Sequence, residues 1–225
     1  MDSKNPKVRE RSRMIKVNFM FLLLMAVAVT TFAGEKKFDV ANIDKNLPLQ
    51  KEYRIAEPLV TEKYDYYEIR GNDEKELRRQ MGQNGTKWND GETYDSATRW
   101  DINWDYGYDS APQGCKVDSF RTILKITFRY PKWLRTDNAP QPLADKWDDY
   151  MKKLVMHENG HRDMALEAAE KISRAVAELP AARSCTDLDR EVRALGLEIA
   201  AKLNRDEKEY DTITKHGTTQ GAVFP

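Results

Sequence analysis

His157-Glu158-Asn159-Gly160-His161 lies inside the longest periodic stretch of the chain, in which Tyr150, Leu154, His157, His161, Ala165, Ala168, Ile172 and Val176 recur in steps of three and four. That spacing puts all eight side chains on one face of an α-helix, and predicts that this face packs against the rest of the domain. The helix is expected to begin after Pro142 and run to Leu179, before Pro180. A second helix is predicted to open at Thr186, with Asp189 three residues on in a capping-box arrangement. Its core face reads Leu188, Val192, Leu195, Ile199 and Leu203.

Upstream of these helices the period changes from 3.6 to 2. Residues 63–69 carry the first strand signal, after which Asn72 or Asp73 caps a short helix through Glu76, Leu77 and Met81 that ends near Gly82 or Gly85. In residues 98–106 Trp100, Ile102, Trp104 and Tyr106 alternate with charged or amide residues, the pattern of a half-buried strand. A turn at Pro112-Gln113-Gly114 leads into residues 116–130, with Val117, Ile123, Ile126 and Phe128 among β-formers, and Pro131 is expected to stop the strand. The connections are too short for crossover helices, so a small antiparallel or mixed sheet is predicted. Strands first and two long C-terminal helices after make an α+β domain.

The N-terminus bears on the compartment. Lys4, Lys7, Arg9, Arg11, Arg13 and Lys16 precede an apolar run that closes in Thr31-Phe32-Ala33-Gly34. This is the pattern of a secretory signal peptide over residues 1–33, cleaved after Ala33. The competing reading is an uncleaved anchor, but the run is shorter than the ~20 apolar residues a spanning helix needs. No cysteine follows the cleavage site, so the bacterial lipid-anchor pattern is missing. Residues 34–61 are polar and interrupted by Pro48 and Pro58, and read as an arm or a short pro-segment; residues 62–225 form the domain.

An exported protein, periplasmic or secreted and without a stable membrane anchor after cleavage, is the expectation. In that setting Cys115 and Cys185, the two cysteines of the chain, read as a disulfide, the alternative being two buried thiols. Lys plus Arg and Asp plus Glu number 37 each, so no overall field draws the chain to nucleic acid or to an anionic membrane. Asn84-Gly85-Thr86 fits a glycosylation acceptor, which matters only in a eukaryotic secretory pathway.

Two histidines four residues apart on a helix stand side by side and can hold one metal ion. Glu158, about a quarter-turn around, can take a proton from a metal-activated water without binding the metal, the division of labour in HExxH peptidases. The plain alternative is a pair of core histidines with Glu158 paired to Arg162. Two features favour the metal, expected to be Zn2+. Both histidines fall on the buried stripe, where unpartnered imidazoles would each cost about 1–3 kcal/mol. The only other histidine, His216, lies beyond the second helix in Tyr210-Asp211-Thr212-Ile213-Thr214-Lys215-His216-Gly217.

A hydrolytic zinc site needs three protein ligands and an open position. Glu167, six residues after His161, would serve only if the helix broke at a glycine, and Met164 stands there instead. Glu191 and Glu198 sit off the core stripe of their helix. His216 is therefore the expected third ligand, with Asp211 the next choice. Tyr210 is a candidate donor to a developing oxyanion, and Asp211 a candidate for orienting a ligand histidine.

The segments HENGHRDMALEAAEKI, TRWDINWDY and YDTITKHGTTQGAVFP resemble a family of predicted secreted zinc-dependent proteases, mostly bacterial and also known as a domain of unknown function. The resemblance covers the chain from about Tyr64 to Pro225. It implies a zincin-like fold and groups His157, Glu158, His161 and His216 into one site. Zinc peptidases of this kind bind an extended substrate antiparallel to an edge strand above the active-site helix. Residues 98–106 are the candidate strand, with Thr98, Trp100, Ile102 and Trp104 on one face; the alternative is an interior strand with core tryptophans.

The expected function is thus a secreted zinc metallopeptidase acting on a peptide or protein substrate. The competing readings are a non-catalytic exported protein that binds metal or a partner, and a zinc amidase acting on cell-wall peptide.

Overall fold

The computed structural model describes residues 18–21, 54–88 and 91–225. Its centre is a long hairpin of β6 (Ala97–Ala111) and β7 (Gly114–Trp133), paired antiparallel from Ala97 opposite Arg129 to Ala111 opposite Gly114, with a bulge at Gly107/Tyr108. On the other edge of β7 run two parallel partners, β2 (Arg54–Ile55) and β3 (Leu59–Ile69). β1 (Asn18–Phe21) lies antiparallel on the outer edge of β6, Phe19 opposite Trp100. The sheet is therefore mixed, its order β1-β6-β7 with β2 and β3 sharing the far edge. A two-stranded ribbon of β4 (Thr86–Lys87) and β5 (Thr93–Tyr94) stands apart.

α1 (Glu74–Asn84) is capped by Asp73, whose carboxylate accepts from the Glu76 N–H at 2.9 Å. α2 (Gln141–Ala177) and α3 (Cys185–Thr214) are the two long C-terminal helices, so the α+β class holds as expected. They cover the face of the sheet that carries Thr98, Trp100 and Thr122. All eight residues of the predicted α2 stripe are buried. Small side chains at Ala165, Ala168 and Ala169 face the sheet beside Leu124, Ile126 and Phe128 of β7 in the same core. The buried Thr122 hydroxyl is satisfied there by the Ala169 carbonyl at 3.2 Å and the Ser173 hydroxyl at 2.9 Å.

Four details differ from the sequence reading. Pro131 does not stop β7, which continues to Trp133; beyond Arg129 β6 has ended, so β7 has partners on one side only, where a missing N–H is tolerated. The cap of α3 is Ser184 rather than Thr186: its extended backbone lets its hydroxyl accept from the Asp187 N–H at 3.1 Å, the predicted Ser/Thr-x-x-acid spacing two residues earlier. On α3, Leu195 and Ile199 pack half-buried against the core as expected, but Gly196 and Ala200 are the more deeply buried, Gly196 because the Trp104 indole lies where its Cβ would be, 2.5 Å away. Part of the segment read as an arm, residues 54–61, belongs to the sheet; the cleavage point after Ala33 and residues 22–53 lie outside the described residues.

α3 runs against β6, and the contacts descend in order: Tyr106 donates to Asp189 at 2.5 Å, Trp104 sits on Gly196, and Trp100 donates to Glu207 at 2.8 Å. The turn between β5 and β6 is pinned by Asp95, which pairs with Arg78 of α1 and accepts from Tyr150 of α2, while its carbonyl accepts from Tyr67 at 2.6 Å. After α3, a 3-10 turn (Thr218–Gln220) leads to Phe224, buried against Trp147 and Tyr150 with ring centres 5.4 and 5.1 Å away. Among the described residues no helix is long and apolar enough to cross a membrane.

Cys115 at the start of β7 and Cys185 at the start of α3 form a disulfide, 70 residues apart in sequence. Ala182, just before α3, exchanges both backbone hydrogen bonds with Cys115 at 2.8 Å. Replacing both cysteines by alanine frees that loop in the unfolded chain and should lower stability by about 4 kcal/mol. Urea unfolding of the oxidised wild type and the double variant measures this; equal midpoints would contradict it.

Candidate metal centre

The stripe that buries α2 carries ionisable groups in its middle: His157, Glu158 and His161 are all fully buried. The corresponding stripe of α3 continues past Leu203 through Glu207 and Asp211 to Thr214, also buried. Where the two stripes face one another, the Nε2 atoms of His157 and His161 each lie 3.2 Å from Asp211 Oδ1. One ligand atom from each of these three residues falls within 4.8 Å of the others, a group that could hold a metal ion.

The donor set and its spacing fit such an ion. Four ligands at zinc's bond lengths of 2.0–2.1 Å stand about 3.3 Å apart along the edges of the tetrahedron, close to the two separations seen here. The second oxygen of Asp211 is buried with no hydrogen-bond partner among the described residues. A cation satisfies that oxygen as well as the two imidazoles.

His216, the expected third ligand, stands at the margin of this group. Its Nδ1 is 3.5 Å from Asp211 Oδ1, its side chain is 38 % exposed, and its ring packs on Tyr94 with centres 4.8 Å apart. It follows Lys215, the left-handed C-cap of α3, and itself has a φ of 51°. The reversal of the chain there turns the imidazole back toward the end of the helix. Asp211, the next choice in sequence, makes the closer approach to both histidines of α2.

The remaining contacts set the orientation of each group. His157 Nδ1 lies 2.5 Å from Gln220 Oε1, so it carries the proton and leaves Nε2 free to bind. Tyr210 stacks on the same ring at 4.7 Å. Its hydroxyl donates to the His157 carbonyl at 3.2 Å and accepts from Gln220 Nε2 at 3.2 Å, so the candidate oxyanion donor here buttresses the α2 backbone. A Cβ at Gly160 would overlap that hydroxyl, which accounts for a glycine in mid-helix.

Glu158 turns toward the sheet. Thr98 donates to one carboxylate oxygen, and Ser96 donates to the other at 3.4 Å. Thr98, Trp100, Ile102 and Trp104 thus direct their side chains inward, so only the backbone of β6 is presented at its outer edge, where β1 pairs with residues 98–101.

Burial and charge divide the titrating groups. Burial holds Glu158 well above the usual carboxylate range and His157 below the usual imidazole range. Burial also opposes a charged His161, but the carboxylates of Asp211, Glu207 and Glu158 around the ring outweigh it and raise His161 to about 10. Asp211 goes the other way: despite burial, its bonds to His157, His161 and His216 hold its carboxyl well below the ordinary value. The pocket therefore favours positive charge between the two helices, and burial makes charge on Glu158 more costly than in water.

The sequence reading missed Glu207, Gln220, Ser96 and the role of Thr98. For Glu207 a signal existed, since Leu203, Glu207 and Asp211 continue the α3 stripe in steps of four. For the others it did not, because their proximity to α2 arises only from the chain reversal after α3 and the turn held by Asp95.

No curated protein and no solved structure matches the chain. A family model described as "Bacterial protein of unknown function (DUF922)" matches residues 64–217, a span that runs from the middle of β3 past the end of α3 and includes every residue of the metal group. The chain is a member of this bacterial DUF922 family.

Proposed function

We propose that this protein is an exported zinc-dependent peptidase in which His157, His161 and Asp211 hold the ion and Glu158 is general base and acid. The observation that carries the reading is the convergence of two HExxH imidazoles on one carboxylate oxygen, with the intervening glutamate buried beside them. The disulfide between Cys115 and Cys185 is consistent with export. Bound there, zinc supplies Lewis acidity toward a peptide carbonyl and acidifies water.

The protein's own residues then have defined tasks. As the water oxygen bonds to the carbonyl carbon, Glu158 accepts the proton that the water gives up. As the carbon–nitrogen bond breaks, Glu158 returns that proton to the leaving amine. Burial raises its pKa, which makes the carboxylate a stronger base toward the water's proton. Ser96 and Thr98 fix its rotamer. His216, at the exposed margin, orients Asp211. An extended substrate would pair antiparallel with the backbone edge of β6 that β1, part of the segment read as the signal peptide, occupies and that cleavage after Ala33 would vacate.

One observation favours a second reading, an exported protein that keeps the ion without catalysis: none of His157, Glu158 and His161 is exposed. Metal analysis of the purified protein, with cleavage of a peptide library by wild type and Glu158→Gln, separates the two. The peptidase reading expects one zinc ion per chain in both proteins and a loss of ~10²–10⁴-fold in cleavage in the variant alone. Zinc retained by a wild type that cleaves nothing selects the second reading, and equal cleavage by both proteins removes Glu158 from its role.

The assignment of ligands gives a second expectation: Asp211→Ala should weaken zinc binding more than His216→Ala does, in competition with a chelator. The reverse order would make His216 the third ligand.

A third expectation concerns stability. A carboxyl whose folded pKa is raised above its unfolded value favours folding at low pH and loses that contribution as pH rises through the folded pKa. Metal-free Glu158→Gln should therefore melt at or above metal-free wild type at pH 8, with the difference shrinking toward pH 4. A lower melting temperature for the variant at pH 8 would contradict this.

A further inference from the structure

Glu207 is a fully buried carboxylate that the catalytic reading leaves unused. It stands one helical turn before Asp211 on the same face of α3. One oxygen, Oε2, accepts from the Trp100 indole N–H at 2.8 Å. The other, Oε1, lies 3.7 Å from His161 Nδ1. Among the described residues neither Glu207 Oε1 nor His161 Nδ1 has a hydrogen-bond partner, and each is what the other lacks. We propose that Glu207, held by Trp100, is the positioning residue for His161, accepting the Nδ1–H hydrogen bond that turns the Nε2 lone pair toward Asp211 and the ion.

The proposal rests on the reading of His161 as a metal ligand. A neutral imidazole carries one proton, and a ring that binds metal through Nε2 carries it on Nδ1, where it needs an acceptor. His157 has a neutral one in Gln220. His161 has a charged one, which makes its lone pair more basic and its ring orientation stiffer. Burying a carboxylate is costly unless it is paired, and an indole N–H satisfies only one of the two oxygens of Glu207. Together Asp211 and Glu207 bring two negative charges to the site, matching a divalent cation. Trp100 lies on β6, so the same contact ties the ion's ligand to the sheet.

The test is zinc affinity by competition with a chromophoric chelator, for wild type, Glu207→Gln, Trp100→Phe and, as a control, His157→Ala. Glu207→Gln should bind zinc ~10–100-fold more weakly, and Trp100→Phe should shift affinity less but in the same direction. In the zinc-loaded wild type the His161 Nδ1–H proton should resonate far downfield; it should move upfield in Glu207→Gln while that of His157 stays in place, which a merely structural role would not produce. Wild-type affinity in Glu207→Gln overturns the proposal. If circular dichroism shows Glu207→Gln unfolded, Trp100→Phe decides: weaker binding supports the proposal and unchanged binding overturns it. A wild type that binds no zinc, or His157→Ala binding as tightly, overturns the ligand reading and this proposal with it. Wild-type binding lost in His157→Ala but intact in Glu207→Gln overturns this proposal alone.

Discussion

The face of α2 that must be buried to build the core is also the face that carries two imidazoles and a carboxylate. Packing Leu154, Ala165 and Ile172 against β7 takes His157, Glu158 and His161 out of water with them, and each must then find polar company inside the protein. Much of the local architecture supplies it. The β5–β6 turn delivers Ser96 and Thr98 to Glu158, the tail after α3 delivers Gln220 to His157, and α3 delivers Asp211 to both rings. Three separate segments are thereby committed to one stretch of helix.

That commitment requires close approach, and two glycines provide it on different contacts. Gly196 admits the Trp104 indole to the axis of α3, which sets the helix under β6, and Gly160 admits Tyr210 to α2, which sets the spacing of the two helices. The electrostatics follow from the spacing. Within one low-dielectric cleft the carboxyl of Asp211 is pushed down and that of Glu158 up, because the first faces three imidazoles that offset its burial, whereas burial dominates at the second in spite of the Ser96 hydroxyl.

Periodicity made the layers and the helix stripes legible. The eight-residue stripe of α2 and the alternation of β6 were visible because each comes from one continuous element with one buried face. The ends of elements were less legible. Pro131 was misread because its tolerance depends on where the neighbouring strand stops, which is a property of the pairing and not of β7 itself. The site was half legible for the same reason. HENGH lies on a single helix, whereas the choice between His216 and Asp211 depends on a left-handed reversal at Lys215 and His216 that no local pattern announced. Glu207 was readable in principle: an acidic residue on an apolar stripe needs a buried partner, and the stripe does not end at Leu203.

The disulfide gives α3 a mechanical character. Cys185 ties its first residue covalently to β7, while Asp211, about 39 Å along the axis, meets α2 only through polar groups around the ion site. The helix is thus a beam with one welded end and one end that rests on polar contacts. Polar contacts yield more readily than a covalent bond, so a change of charge around Asp211 reaches the last turns of α3 and the reversal after it before it reaches the start of the helix.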